Sequence, residues 1–315
     1  MGDGPAARAR PPRPPAPGAA HRGAVGRHPP LADRAAQPAA DPAHHRPAHR
    51  PGPATGPGPG GVARPAPTVK IFAIGDLHLP GRSEYHAWMR PYGWAAHYQQ
   101  IAARWRQTIA PQDLVIVCGD TTAAPTTAAA VPDLQWLDRM PGMKLLTPGN
   151  HDGWLNHATR TRLTATLADT PTIQATHHGA RIISHQHQRI LIGAVIGPPP
   201  TSGPPKALAR ARRALEHLDA DLSDLASMDP HLRIVASHYP PCGPDQAPTE
   251  LSELLEAHRI DLCVYGHLHG RGQHAAGPHG THRGVRYLLC SSDHLRFTPA
   301  LLHDTTTTTH WSPAP

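Results

Sequence analysis

Five apolar runs in this chain each stop at a residue suited to binding metal. Val69–Ile74 ends at Gly75 and is followed by Asp76, Leu77 and His78. Leu114–Cys118 ends at Gly119-Asp120, and Lys144–Thr147 leads into Gly149-Asn150-His151-Asp152. Leu232–Ala236 is followed by Ser237-His238-Tyr239-Pro240, and Leu262–Tyr265 by Gly266-His267-Leu268-His269. Short apolar runs bounded by glycine read as buried strands. Trp94, Tyr98, Ile101, Trp105 and Ile109 recur at three or four residues and predict a helix over Arg90–Ile109. Leu208, Ala211, Leu215, Leu218, Leu222 and Leu225 predict another. Leu134–Met140 reads as a short helix, and Thr249–His258 as one capped by Thr249. Arg181–Ser184 and Arg189–Ile196 read as a hairpin or adjacent strands, and Val285–Cys290 and Ala300–Leu302 complete the strands. Sparsely charged strands alternating with helices imply an α/β fold with its sheet covered on both faces.

Asp76 and His78 lie two apart on an extended segment and would point the same way, as would His267 and His269. Glycine before the polar residue permits a sharp turn and close backbone approach. Side chains placed just past strand ends converge on one sheet edge, where open α/β sheets carry their sites. Oxygen and imidazole donors without thiolate suit Mn, Fe, Zn or Ni. Their number suits two divalent cations side by side. The chain holds 26 histidines, so His44, His45, His177, His178, His185, His187, His274, His279 and His282 read as solvated. Trp154 reads as a packing residue beside the site, and Arg160 and Arg162 as a solvated helix face. His97 reads as a capping or supporting residue.

Residues 1–67 contain no Phe, Tyr, Trp or Ile. Such a stretch buries too little apolar surface to offset its ordering entropy, so it reads as a disordered Pro/Ala/Arg-rich tail. A start codon assigned too far upstream would give the same composition. Nine arginines against Asp3, Asp33 and Asp41 put +6 of the net +7 charge in this tail. Residues 68–303 then read as one domain of nearly balanced charge, which disfavours a nucleic-acid partner without excluding it. Residues 304–315 read as a flexible Thr-rich tail. Cys118, Cys242, Cys263 and Cys290 form no CxxC pair and fit buried reduced thiols of a cytoplasmic protein. No apolar stretch reaches membrane-spanning length, so no membrane partner is expected.

The five motifs in this order resemble those of the calcineurin-like metallophosphoesterase superfamily, over Val69–Leu302. The similarity is greatest to a bacterial group of predicted phosphohydrolases, through Trp94–Trp105, DLQWLDRMPG, HYPP, CVYGHLHG and GVRYLLCSSDHLRFTP. The resemblance implies a four-layer α/β/β/α sandwich with two metals, Mn favoured, at one edge. It implies that Asp76, His78 and His269 hold the first metal, that Asn150, His238 and His267 hold the second, and that Asp120 bridges them. His151 then matches the family's catalytic histidine that is not a ligand, stabilising charge or protonating the leaving oxygen. Asp152 would orient the His151 imidazole, or simply cap the following helix. Thr121-Thr122-Ala123-Ala124 departs from the tryptophan-containing segment of that group. The Asp-Arg after GD and the Glu after GNH of protein Ser/Thr phosphatases are absent.

The expected activity is hydrolysis of a small phosphorylated substrate, a phosphomonoester or phosphodiester. Attack would come directly from a hydroxide bridging two cations about 3.5–4 Å apart. A nuclease or cyclic-nucleotide phosphodiesterase remains an alternative. So does a phosphoesterase-like scaffold without catalysis. Oligomeric state is not readable from the sequence.

Overall fold

The computed structural model describes residues 68–80, 89, 93–185, 187–198, 202 and 204–306, within the unit Ala63–Pro315. The expected tail 1–67 lies outside the described residues, as do 307–315.

Alternate side chains of single strands feed different cores. In β1 (Lys70–Ile74), Ile71 and Ala73 enter one core, while Phe72 and Ile74 enter another. In β2 (Leu114–Val117), Leu114 and Ile116 follow the first pair, and Val115 and Val117 the second. β3 (Met143–Leu146) and β4 (Ile173–Ala175) continue this sheet, whose order is β11-β1-β2-β3-β4 with β11 (Ala300–Asp304) antiparallel at its edge. The second sheet begins with the hairpin β5 (Gly179–His185) and β6 (Gln188–Val195). It continues through β7 (Leu232–Ser237), β8 (Leu262–Tyr265), β10 (Val285–Leu289) and β9 (Gly280–His282). Leu232, Ile234 and Ala236 of β7 and Leu262 and Val264 of β8 join Ile71 and Ile116 in one core between the sheets. Their neighbours Val235, Cys263 and Tyr265 point to the opposite face. A period of two therefore gives every central strand two buried faces.

Helices cover both outer faces. α1 (His97–Thr108), α2 (Thr127–Asp138), α3 (Gly153–Asn156) and α4 (Arg160–Leu167) pack on the first sheet through Ile101, Trp105, Leu134, Leu137, Leu155 and Leu163. α5 (Pro205–Ala226) and α6 (Glu250–Ala257) cover the second through Leu215, Leu218, Leu222, Leu251 and Leu255. Each fully buried side chain of this kind contributes about 1.5–3 kcal/mol. The result is the expected α/β/β/α sandwich. A short α7 (Gly270–Ala276) follows β8. Thr249 caps α6, accepting from Ser252 N–H while the Ser252 hydroxyl takes the Thr249 N–H.

Three expectations are corrected at element ends. α1 starts at His97 rather than Arg90, because Ala96 takes a left-handed conformation (φ 47°) and Gly93 another (φ 72°). Trp94 is buried in the turn before the helix. α2 starts at Thr127, capped by the Thr126 side chain, and carries Pro132 inside it where a break would be read. β11 runs through Asp304, whose carboxylate meets Lys70 Nζ at 3.3 Å, so the sheet extends into the segment expected as a tail. Inside β3, Lys144 is only 1 % exposed. Its ammonium donates to the carbonyls of Asp138 and Met140 at the end of α2 and to the Thr172 hydroxyl. A cation there complements the helix dipole, while burial pushes its pKa down to about 8.

Candidate metal centre

β1, β2 and β3 run parallel, as do β7, β8 and β10, so their C-terminal ends emerge together. The sheets meet at that edge: Gly75 bridges Ser291, and Ser292 Oγ donates to Gly75 O at 2.7 Å. Beyond the sheet, Asp76 N donates to Gly119 O at 2.9 Å and His78 N to Asp120 O at 2.9 Å, zipping the first two motif loops together. The His97 imidazole Nε2 lies 3.1 Å from Leu77 O and 3.0 Å from His78 O, so this buried histidine pins the first loop.

The motif residues are held in conformations that side chains usually avoid. Asp76, His78, Asp120 and His267 have φ of 55°, 40°, 50° and 74°. Such strain persists only where the surroundings enforce it, and it gathers at functional sites. Two glycines make the closeness possible. A Cβ on Gly119 (φ 80°) would stand 2.5 Å from His238 Nδ1, and one on Gly149 would collide with the Asp120 backbone and carboxylate.

Asp120 divides its oxygens. Oδ1 accepts His151 N–H at 2.8 Å, and Oδ2 lies 3.8 Å from His78 Nε2 and 3.4 Å from His238 Nε2. Asp76 Oδ1 lies 4.0 Å from His78 Nε2 and 3.6 Å from His269 Nε2, while His267 N–H approaches both its oxygens at 3.1 and 3.0 Å. Asp76, His78 and His269 form one cluster of metal-ligand atoms, and Asp76, Asp120 and His238 form a second, so Asp76 belongs to both. His238 Nδ1 donates to Cys118 O at 3.1 Å, which turns Nε2 toward the cluster. Around that nitrogen stand Asn150 Oδ1 at 2.8 Å, His267 Nδ1 at 3.3 Å and Asp120 Oδ2 at 3.4 Å. Two ring nitrogens and two side-chain oxygens thus converge on one point, as the donors of a metal ion do. The donor set therefore fits divalent metals. All seven residues expected as ligands meet at this edge.

The electrostatics divide the cluster: burial disfavours the charged form of His269, yet its bond to Asp293 and the nearby Asp76 carboxylate raise its pKa above the ordinary value. Burial raises the Asp76 carboxyl to about 6. Burial lowers the His78 imidazole to about 3 and that of His267 to about 4, the neutral form a ligand needs. Burial also opposes the charged form of Asp120, but His238, His78 and the His151 N–H together hold its carboxyl below the usual value.

Asp152 makes bonds beyond those expected of it. Its buried carboxylate accepts from Thr121 N (3.2 Å), Thr122 N (3.2 Å), Gly149 N (3.0 Å) and the Trp154 indole (3.0 Å). None of these is the His151 ring, and no side-chain bond caps α3. Asp152 clamps the second motif loop to the third. Burial, with Asp120 nearby, pushes its pKa to about 7, against the pull of the four N–H donors. Trp154 is a packing residue as expected, 1 % exposed. The His151 ring meets His78 edge-on at 5.6 Å.

The sequence reading missed Asp293. Its Oδ1 accepts from His269 Nδ1 at 3.2 Å, and its Oδ2 takes Gly270 N–H at 2.9 Å and lies 3.2 Å from His274 Nε2. His274 is thus packed beside this carboxylate rather than solvated, its Nε2 buried without a hydrogen bond. The bond fixes the His269 tautomer with Nε2 toward the cluster, as partners of ligand histidines do. Burial resists ionisation of Asp293, yet His269 and the Gly270 N–H hold its pKa near 2. The missed signal was a sixth apolar run, Val285–Cys290, ending in Ser-Ser-Asp. Trp94 was misplaced on a helix; its ring stands edge-on to His269 at 5.3 Å and walls the site. All four cysteines are free and buried. Among the described residues no helix is long and apolar enough to cross a membrane.

Comparison with known proteins adds to this geometry. No curated protein matches the chain. A protein of unknown function from Aquifex aeolicus shares 16% identity over 74% of this chain and 95% of its own, with a TM-score of 0.39. The phosphopantetheinyl hydrolase of Mycobacterium tuberculosis shares 16% over 78% and 99%, with a TM-score of 0.49. A 5'-nucleotidase precursor from Thermus thermophilus shares 15% over 67% of this chain and 44% of its own, with a TM-score of 0.35. The model of the calcineurin-like phosphoesterases matches residues 69–271, from β1 through the last of the clustered motifs. The chain belongs to the calcineurin-like phosphoesterase family.

Proposed function

We propose that the protein is a dinuclear-metal phosphohydrolase that cleaves phosphomonoesters or phosphodiesters of small molecules by direct transfer to water. The convergence of Asn150 Oδ1, His267 Nδ1 and Asp120 Oδ2 about His238 Nε2 carries this reading. Asp76, His78 and His269 would hold one cation and Asn150, His238 and His267 the other, with Asp120 shared between them. Bound there, two divalent ions, Mn favoured, supply Lewis acidity that offsets phosphoryl charge and lowers the pKa of nearby solvent. The residues do the rest. Backbone N–H groups of His151 and His267 aim the two carboxylates, and Cys118 O and Asp293 aim His238 and His269. Fixed groups need no reorganisation as charge develops. His151, half-buried beside His78, donates a proton to the departing oxygen or stabilises its charge. Water attacks phosphorus in line and no residue is phosphorylated. Buried unpaired thiols suit a reducing compartment such as the cytoplasm.

The test is a panel of p-nitrophenyl phosphate, bis-p-nitrophenyl phosphate, cyclic nucleotides and oligonucleotides, run beside metal analysis. Hydrolysis of a small ester by the wild type, lost in Asp120→Asn, supports the reading. Equal inactivity of both proteins on every ester makes the chain a binding scaffold, and selective cleavage of oligonucleotides makes it a nuclease.

A further inference from the structure

Beside the ligand cluster lies a cavity of about 350 Å³ that shares Asn150 with it. One wall is the α5 face carrying Ala207, Ala211 and Ala214, whose small side chains leave the space open. Ile196, just past β6, lies beside them. Asn156 adds to the lining on the Asn150 side, its Nδ2 tied to Gly149 O at 2.7 Å. The polar groups of the opposite kind are Arg210, also from α5, and His177 and His178 from the turn between β4 and β5. His178 is held by His217, with ring nitrogens 3.0 Å apart and the rings stacked. Among the described residues that line the cavity there is no Asp or Glu. Burial holds His177 and His178 below the ordinary histidine value, so at neutral pH they serve as uncharged hydrogen-bonding groups. Arg210 is the permanent charge.

We propose that this cavity seats the leaving part of the substrate and that this part carries a second phosphate, making the substrate a small bisphosphorylated molecule. The inference rests on the phosphohydrolase reading and adds the substrate class to it. A guanidinium fork matches phosphate oxygens bidentately, and the His177 imidazole supplies a hydrogen bond for a remaining oxygen. The absence of lining carboxylates removes the repulsion an anion would meet. The volume is that of a small-molecule site, at the lower end of the usual range. It admits neither a folded protein nor a duplex.

The experiment compares alkanediol bisphosphates of increasing chain length with the matching monophosphates, on metal-loaded wild type, Arg210→Gln and Arg210→Lys. Wild type should favour one bisphosphate over its monophosphate in kcat/KM by about tenfold or more, as one charge-assisted contact allows. Arg210→Gln should bring that ratio near one, and Arg210→Lys should restore part of it. Calorimetric binding of the same bisphosphate should weaken in parallel. Far-ultraviolet circular dichroism checks folding, and Ala211→Phe, which fills the cavity from another position, should lower the ratio independently. Hydrolysis of p-nitrophenyl phosphate with no bisphosphate preference overturns this inference alone. A preference that survives both Arg210→Gln and Ala211→Phe also overturns it. Failure to hydrolyse any ester removes the phosphohydrolase reading and this inference with it.

Discussion

The two sheets contribute different chemistry to one edge. The first supplies Asp76, Asp120, Asn150 and two imidazoles, His78 and His151; the second supplies only imidazoles, His238, His267 and His269, with Asp293 behind them. The Asp76 and Asp120 carboxylates are aimed by backbone N–H groups, and the imidazoles His238 and His269 by acceptors on their far nitrogens. Part of this aiming crosses between sheets: His267 N–H holds Asp76, and Cys118 O holds His238. Neither sheet alone can form the centre. The edge joint at Gly75 and Ser291 therefore belongs to the site as much as the ligands do.

Substitutions at four positions test this division. Asp120→Asn removes the charge that faces both sheets, and should lower kcat/KM by about 10⁴-fold or more, several kcal/mol of barrier. Metal content measured beside turnover should fall too; full activity would break the comparison. His151→Ala leaves every ligand in place. It should keep both metals and lose about 10³-fold in kcat, and metal loss instead would make His151 part of the scaffold. Asp152→Ala strands four buried N–H donors within the first-sheet loops. It should cost about 3 kcal/mol in denaturant unfolding, near 10²-fold in the folding equilibrium. Unchanged stability with an altered pH–rate profile would return Asp152 to orienting His151. Asp293→Ala frees the His269 ring on the second sheet, and metal titration should show affinity weaker by about 10- to 100-fold. Asp293→Asn, which still accepts the His269 proton, should recover part of it. No change in either would leave the second sheet's imidazoles self-sufficient.

Much of this was legible in the chain, because strand ends and ligands were written side by side. β8 has its predicted bounds, Leu262–Tyr265, and the Thr249 cap is where a Thr before an apolar run places it. The errors share a cause. Trp94 matched a helical period but is buried against His269, a partner far along the chain. Asp152 stood next to His151 in sequence, yet its carboxylate turns to Thr121 and Thr122 because those unpaired N–H groups lie buried beside it. Asp293 follows two serines rather than the glycine that opens four of the five motifs, and so it escaped the reading.

Local composition alone determined the alternation of strands and helices, the ligand types and their place just past strand ends. Burial periodicity and glycine are read residue by residue, without knowing what lies opposite. Only the packing of one sheet on the other decided which oxygen faces which imidazole, which proton each histidine keeps, and that Asp76 serves both clusters. Those outcomes depend on distances of a few ångströms between segments separated by as many as 191 positions, such as Asp76 and His267. Neighbours along a chain carry no record of such distances.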